Sequence, residues 1–101
     1  MTEEAFVIIK KGIVQVFLQN LQSDYARLIE STILALDKIF EHGENVKEKY
    51  DGNNPLALEI IQNNLKHLFE NLQDHQEDTI SFKAELILSK FFTTQETIPL
   101  L

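Results

Sequence analysis

Cysteine and tryptophan are absent from this 101-residue chain; glycine occurs three times and proline twice. Without cysteine there is no disulfide framework and no thiolate chemistry, and the chain fits a reducing compartment. Cations are scarce too: 9 Lys and Arg stand against 16 Asp and Glu, for a formal charge of −7. That balance argues against binding to nucleic acid, which needs clustered cations on the phosphates. The only basic run, Lys10-Lys11, is too short to supply them. The acidic surface serves solubility first and suits a basic partner second. No apolar run approaches the ~20 residues of a membrane span. The start, Thr2-Glu3-Glu4, lacks the basic opening of a targeting peptide. Missing as well are a Gly-rich phosphate loop, a nucleophile elbow and paired carboxylates in a predicted cleft, so nothing points to an enzyme or to a cofactor. His42, His67 and His75 show no His-x3-His or His-Glu-x-x-His spacing and read as polar helix-end residues rather than metal ligands.

What is present is an internal repeat. Phe17-Leu18-Gln19-Asn20-Leu21-Gln22 aligns with Leu68-Phe69-Glu70-Asn71-Leu72-Gln73 at an offset of 51. Val14, Phe17, Leu18 and Leu21 fall on Leu65, Leu68, Phe69 and Leu72, the i, i+3, i+4, i+7 spacing of one helix face written twice. Downstream the offset becomes 52, and Leu28, Thr32, Ala35, Leu36, Ile39 and Phe40 fall on Ile80, Ala84, Ile87, Leu88, Phe91 and Phe92. A helical unit repeated at this length is the mark of a stacked solenoid, an architecture used for extended binding surfaces. Such arrays usually hold about three units or more. Two units by themselves expose an apolar end, which predicts self-association.

The breakers divide each unit into a short helix, a second short helix and a long one. In the first, the pattern predicts helices over 4–11, ended by Gly12, over 13–22, and over 24–42, closed by Gly43, with Ser23 or Asp24 as N-cap. The buried stripe of the long helix is Leu28, Ile29, Thr32, Ala35, Leu36, Ile39 and Phe40, with the Thr32 hydroxyl bonded back to its own helix. A polar stretch, 45–54, separates the units and ends in the turn formers Asp51-Gly52 and Asn54-Pro55, with Asn54 as N-cap and Pro55 at the first helical position. The second unit predicts helices over 55–63, 64–73 and 77–92, with Asp74 and Glu77 spaced as a capping box. Phe91-Phe92 predicts one ring in the core and one covering the end of the stack. The tail, 96–101, contains Ile98-Pro99.

These residues resemble a known family. Three helices per unit with a Gly between the first two is the armadillo pattern, and the chain is similar to the last two armadillo repeats of importin-alpha. The resemblance rests on Gly12-Ile13-Val14, on Ile39-Phe40-Glu41-His42-Gly43-Glu44, and on the insertion Asp51-Gly52-Asn53-Asn54-Pro55. Its best match is Leu72-Gln73-Asp74-His75 followed by Glu77-Asp78, Ile80, Ala84 and Phe91-Phe92. It implies an all-α fold, an armadillo-type right-handed helical solenoid of two three-helix repeats, 1–44 and 55–95. The family carries nuclear-localisation cargo and shuttles between cytoplasm and nucleus, with importin-beta and an export receptor bound to its GTPase as partners. The chain departs from the family pattern at Val16, where the family often has Pro, and at Thr93-Thr94-Gln95-Glu96, where the family continues with acidic residues.

Armadillo units that hold localisation signals carry Trp and Asn four residues apart on the long helix, the indole against the ligand's lysine stems and the amide on its backbone. Here the matching positions are Leu34 and Lys38, then Leu86 and Lys90. The pair is missing twice and a like charge stands in each place, so these units are not expected to grip a basic signal. By resemblance the final unit contacts the export receptor, through the exposed acids Glu70, Asp74, Glu77 and Asp78. The same cluster also suits capping and the dipole of a helix start. The competing reading is an armadillo or HEAT-type interaction scaffold unrelated to transport.

Overall fold

The computed structural model describes residues 2–92. They are all-helical: α1 (Glu3–Gln15), a 3₁₀ segment (Phe17–Gln22), α2 (Ala26–Val46), a second 3₁₀ segment (Lys47–Tyr50), α3 (Pro55–Gln62), α4 (His67–Leu72) and α5 (Asp78–Phe91). The molecule is a slab of 37 × 36 × 20 Å, about two helix diameters thick. The rhythm of two shorter segments and then a long helix appears twice, but several boundaries differ from the sequence expectation.

Gly12 does not end a helix. Phe6, Lys10, Ile13 and Val14 are buried on one stripe that runs across it, and this packing outweighs the ~1 kcal/mol that glycine costs inside a helix. The chain breaks instead at Val16 (φ −126°, ψ −53°). The expected second helix, 13–22, is therefore shared between the end of α1 and a 3₁₀ segment.

Neither Ser23 nor Asp24 is the N-cap of α2. That position belongs to Tyr25, whose N–H donates to Ser23 Oγ at 2.9 Å. Gly43 does not close α2 either, because the helix continues to Val46 and the 3₁₀ segment prolongs it. The predicted loop 45–54 is thus mostly helical. What remains is a turn with left-handed backbone at Asp51 (φ 60°) and Gly52 (φ 81°).

Asn54 explains Gly43. The Asn54 side chain is 3% exposed. Its Oδ1 accepts from the N–H groups of Leu56 (3.0 Å) and Ala57 (3.3 Å), capping α3 as the sequence predicts. Its Nδ2 donates to Phe40 O and Glu44 Oε2, both at 2.9 Å. Both donors and two acceptor sites are used, so one amide ties the end of α2 to the start of α3 with nothing orphaned. A Cβ on residue 43 would lie 2.6 Å from Asn54 Oδ1, so only glycine leaves room for the clamp.

Helix α3 ends in a Schellman turn. Asn64 takes the left-handed conformation (φ 59°), Leu65 N–H donates to Ile60 O and Asn64 N–H to Ile61 O, each at 3.0 Å. That turn starts α4 later than predicted. The Asp74–Glu77 capping box does not form. Glu77 is the N-cap of α5 through its backbone alone, and its N–H donates to His75 Nδ1 at 2.9 Å. His42 lies inside α2, edge-on to Phe6 at 4.8 Å, and not at a helix end.

One core joins the two units. Phe40 is fully buried, stacks on Phe91 at 4.6 Å and meets Phe69 and Phe92 edge-on at 6.1 and 5.8 Å. Phe91 and Phe92 are both buried, so neither ring merely covers an end as predicted. Phe69 and Leu72 are buried, and Thr32 Oγ1 donates to Leu28 O at 2.8 Å, both as expected. In α2, Ile33 joins the core while Leu28 and Ala35 do not. The tail beginning at Thr93 lies outside the described residues.

Candidate partner-binding surface

Helices α2 and α5 run side by side in the same direction. Thr79 Oγ1 donates to Glu30 Oε2 at 2.8 Å, and Lys90 Nζ to Glu41 Oε2 at 2.9 Å. Both contacts span 49 residues, so the helices hold one register over about three turns. The charge on Glu41 and its hydrogen bond raise the Lys90 pKa, the hydrogen bond most of all.

This register sets the two positions where the resemblance places Trp. Leu34 (53% exposed) and Leu86 (40% exposed) line a shallow groove between the helices, together with Asp37, Lys83 and Lys90. Lys90 is engaged by Glu41, and Asp37 stands in the same groove. The face is therefore of mixed sign, and the repulsion expected of Lys90 towards a basic ligand is offset locally. What the groove lacks for a basic signal is the indole and amide. Sequence reading missed Phe82, 60% exposed and one turn before Leu86 on the same outward face. Its signal was an aromatic off the buried stripe of Ile80, Ala84 and Ile87.

The predicted acids gather around the α4–α5 turn. Glu70 is on α4, Asp74 in the turn, Glu77 at the N-cap of α5 and Asp78 in its first turn; all are exposed. Glu70 is 3.9 Å from Lys66, a loose i,i+4 pair. Backbone bonds hold the turn: Asp74 N–H to Asn71 O at 3.2 Å and His75 N–H to Leu72 O at 3.0 Å. His75 Nδ1 in turn accepts from the Glu77 N–H. His75 thus shapes the turn that presents Asp74, Glu77 and Asp78. Asp78 also lies at the positive end of the α5 dipole.

Elsewhere, Lys10 is buried with Nζ over the rings of Phe6 (5.4 Å) and Tyr50 (5.1 Å), pinning α1 to the segment after α2. Burial and the neighbouring Glu3 carboxylate raise the Tyr50 pKa. Among the described residues no group of three or more His, Asp or Glu could hold a metal ion, and no helix is long and apolar enough to cross a membrane. No family model, curated protein or solved structure matches this chain.

Proposed function

We propose that this chain is a protein-binding module rather than an enzyme: the capping end of an armadillo-type right-handed solenoid, with repeats over 1–44 and 55–95. More particularly, we read it as the C-terminal part of a nuclear import adaptor similar to importin-alpha. On this reading its parent takes localisation-signal cargo and importin-beta elsewhere and shuttles between cytoplasm and nucleus. These two units close the stack and offer Glu70, Asp74, Glu77 and Asp78 to the export receptor with its GTPase. The observation that carries the reading is the parallel, registered packing of α2 on α5, each preceded by two shorter helical segments. Long helices of successive repeats stack in this way in a solenoid. The exposed strip Leu34, Phe82 and Leu86 favours a second reading, a scaffold of the same architecture that binds an unrelated partner.

The test is a titration of the chain with a labelled basic localisation peptide and, separately, with the export receptor bound to its GTP-loaded GTPase. The expected result is no peptide binding, together with receptor binding that Asp74→Lys, Glu77→Lys and Asp78→Lys together abolish. Peptide binding by the chain would overturn the argument from Leu34, Lys38, Leu86 and Lys90. Absence of receptor binding would leave the scaffold reading.

A further inference from the structure

The flank of α2 away from α5 carries an open apolar groove of about 570 Å³. Ile9, Ile13, Val16 and Phe17 line it from α1 and the segment after it, and Ala35 and Ile39 from α2. Val16 is 66% exposed, and Ala35 is exposed as well. A groove of this size accommodates several side chains.

The repeat states what covers such a surface. At the offset of 52, Leu28, Ala35 and Ile39 of α2 correspond to Ile80, Ile87 and Phe91 of α5. The α5 set is buried, with Phe91 stacked on Phe40 of α2 and Ile87 beside Ile33 of α2. Leu28 is 40% exposed, although its counterpart Ile80 is fully buried. The first unit is therefore apolar at the positions that, in the second unit, lie beneath a neighbouring long helix.

The charges follow the same offset. Lys90, which pairs with Glu41, corresponds to Lys38 on the rim of the groove. Thr79, which bonds Glu30, corresponds to Arg27. Arg27 and Lys38 have no hydrogen-bond or ion-pair partner among the described residues. Two cations eleven residues apart thus stand ready beside an uncovered apolar stripe.

We infer that this groove receives the long helix of a further unit of the same kind. That helix lies parallel to α2 and presents two acidic residues, eleven apart, to Arg27 and Lys38, with an apolar stripe between them. The inference rests on the solenoid reading but not on the transport reading.

A second copy of this chain fits worse. Stacked head to tail, it would offer the outer face of α5, where Phe82 and Glu85 stand at the positions of Glu30 and Ile33. The first acid would be missing, and a carboxylate would point at the apolar stripe. Two copies packed groove to groove about a two-fold axis would set Arg27 and Lys38 of one against those of the other.

The probe is a helix-stabilised synthetic peptide with the sequence of residues 26–46, the chain's own example of such a helix. It is titrated into the isotope-labelled chain and followed by methyl and amide NMR. The expected shifts fall on Ile9, Ile13, Val16 and Ile39. Lysine at the peptide positions of Glu30 and Glu41 weakens binding about tenfold, and the chain variant Arg27→Glu/Lys38→Glu restores it. Equal binding of the acidic and lysine peptides overturns the inference. So do shifts confined to Leu34 and Leu86, or no shift at saturating peptide. A concentration-dependent dimer in sedimentation, with its contact mapped to the groove, overturns it in favour of a second copy. The readout is independent of receptor binding, so this inference and the transport proposal fail separately.

Discussion

Leu28, Ala35 and Ile39 on α2 and Ile80, Ile87 and Phe91 on α5 occupy equivalent positions of the repeat, yet the first set is exposed or half-buried and the second is buried. Chemistry does not separate them, because both sets are apolar. The difference is a neighbour: α5 lies along one flank of α2, and among the described residues no second long helix covers the groove that α1 and α2 form on the other. An apolar stripe is therefore a capacity for burial, and whether it is realised depends on the adjacent element. The lysines repeat the lesson, since Lys90 is held by Glu41 while its counterpart Lys38 has no acid.

The largest test of this comparison is truncation on each flank. Phe91→Ala should destabilise by ~3–5 kcal/mol, since it empties the stack on Phe40, whereas Ile39→Ala should cost less than half as much. Urea denaturation measures both, and equal losses would break the contrast. Next is the clamp between the units. Gly43→Ala and Asn54→Ala should each cost ~1–3 kcal/mol, the first by overlap with the Asn54 amide and the second by leaving the first N–H groups of α3 without their acceptor and cutting the tie to Phe40 O and Glu44. In the double variant the overlap is gone, so the cost of Gly43→Ala should largely vanish. Additive losses would mean that Gly43 serves another purpose.

A smaller effect follows from Glu44. Partial burial opposes its ionisation, but hydrogen bonds from Asn54 and Lys47 and the charges of Lys47 and Lys90 outweigh this, and its pKa falls below the ordinary 4.5. A carboxylate depressed on folding stabilises above the unfolded value and loses that contribution as pH drops through the folded one. Stability should therefore fall as pH drops below about 4.5, and Glu44→Gln should flatten that part of the profile. Unfolding at a series of pH values reads it directly. The smallest effect is at the surface lysines. Lys90→Met should cost slightly in low salt and nothing in high salt, while Lys38→Met should be neutral in both.

Much of the fold was legible in the chain. Heptad-like spacing located the helices, and Asn54-Pro55 located the start of α3 through chemistry carried by those two residues alone. The misreadings at Gly12 and Gly43 share a cause. Glycine reads locally as a helix stop, whereas long-range packing overrides it at Gly12 and requires it at Gly43, where residue 54 occupies the space of a side chain. Ser23 and Asp74 were similar cases, as cap-forming side chains whose turns placed other residues at the N-cap. Of the candidate surface, Glu70, Asp74, Glu77 and Asp78 were legible as exposed acids at a helix junction. Phe82 and the α1–α2 groove were not, because exposure of an apolar residue depends on which neighbour is present.

By itself the sequence determined the helical periodicity, the duplication at offsets of 51 and 52, the acidic balance and the Asn54 cap. These follow from local sterics, spacing and composition. Only the tertiary structure decided that α2 and α5 lie parallel in a 49-residue register, that both Phe91 and Phe92 are buried, and that one flank of α2 is covered while the other is open. The physical reason is that burial and charge pairing belong to pairs of elements, and a repeat pattern names both partners without saying which are joined.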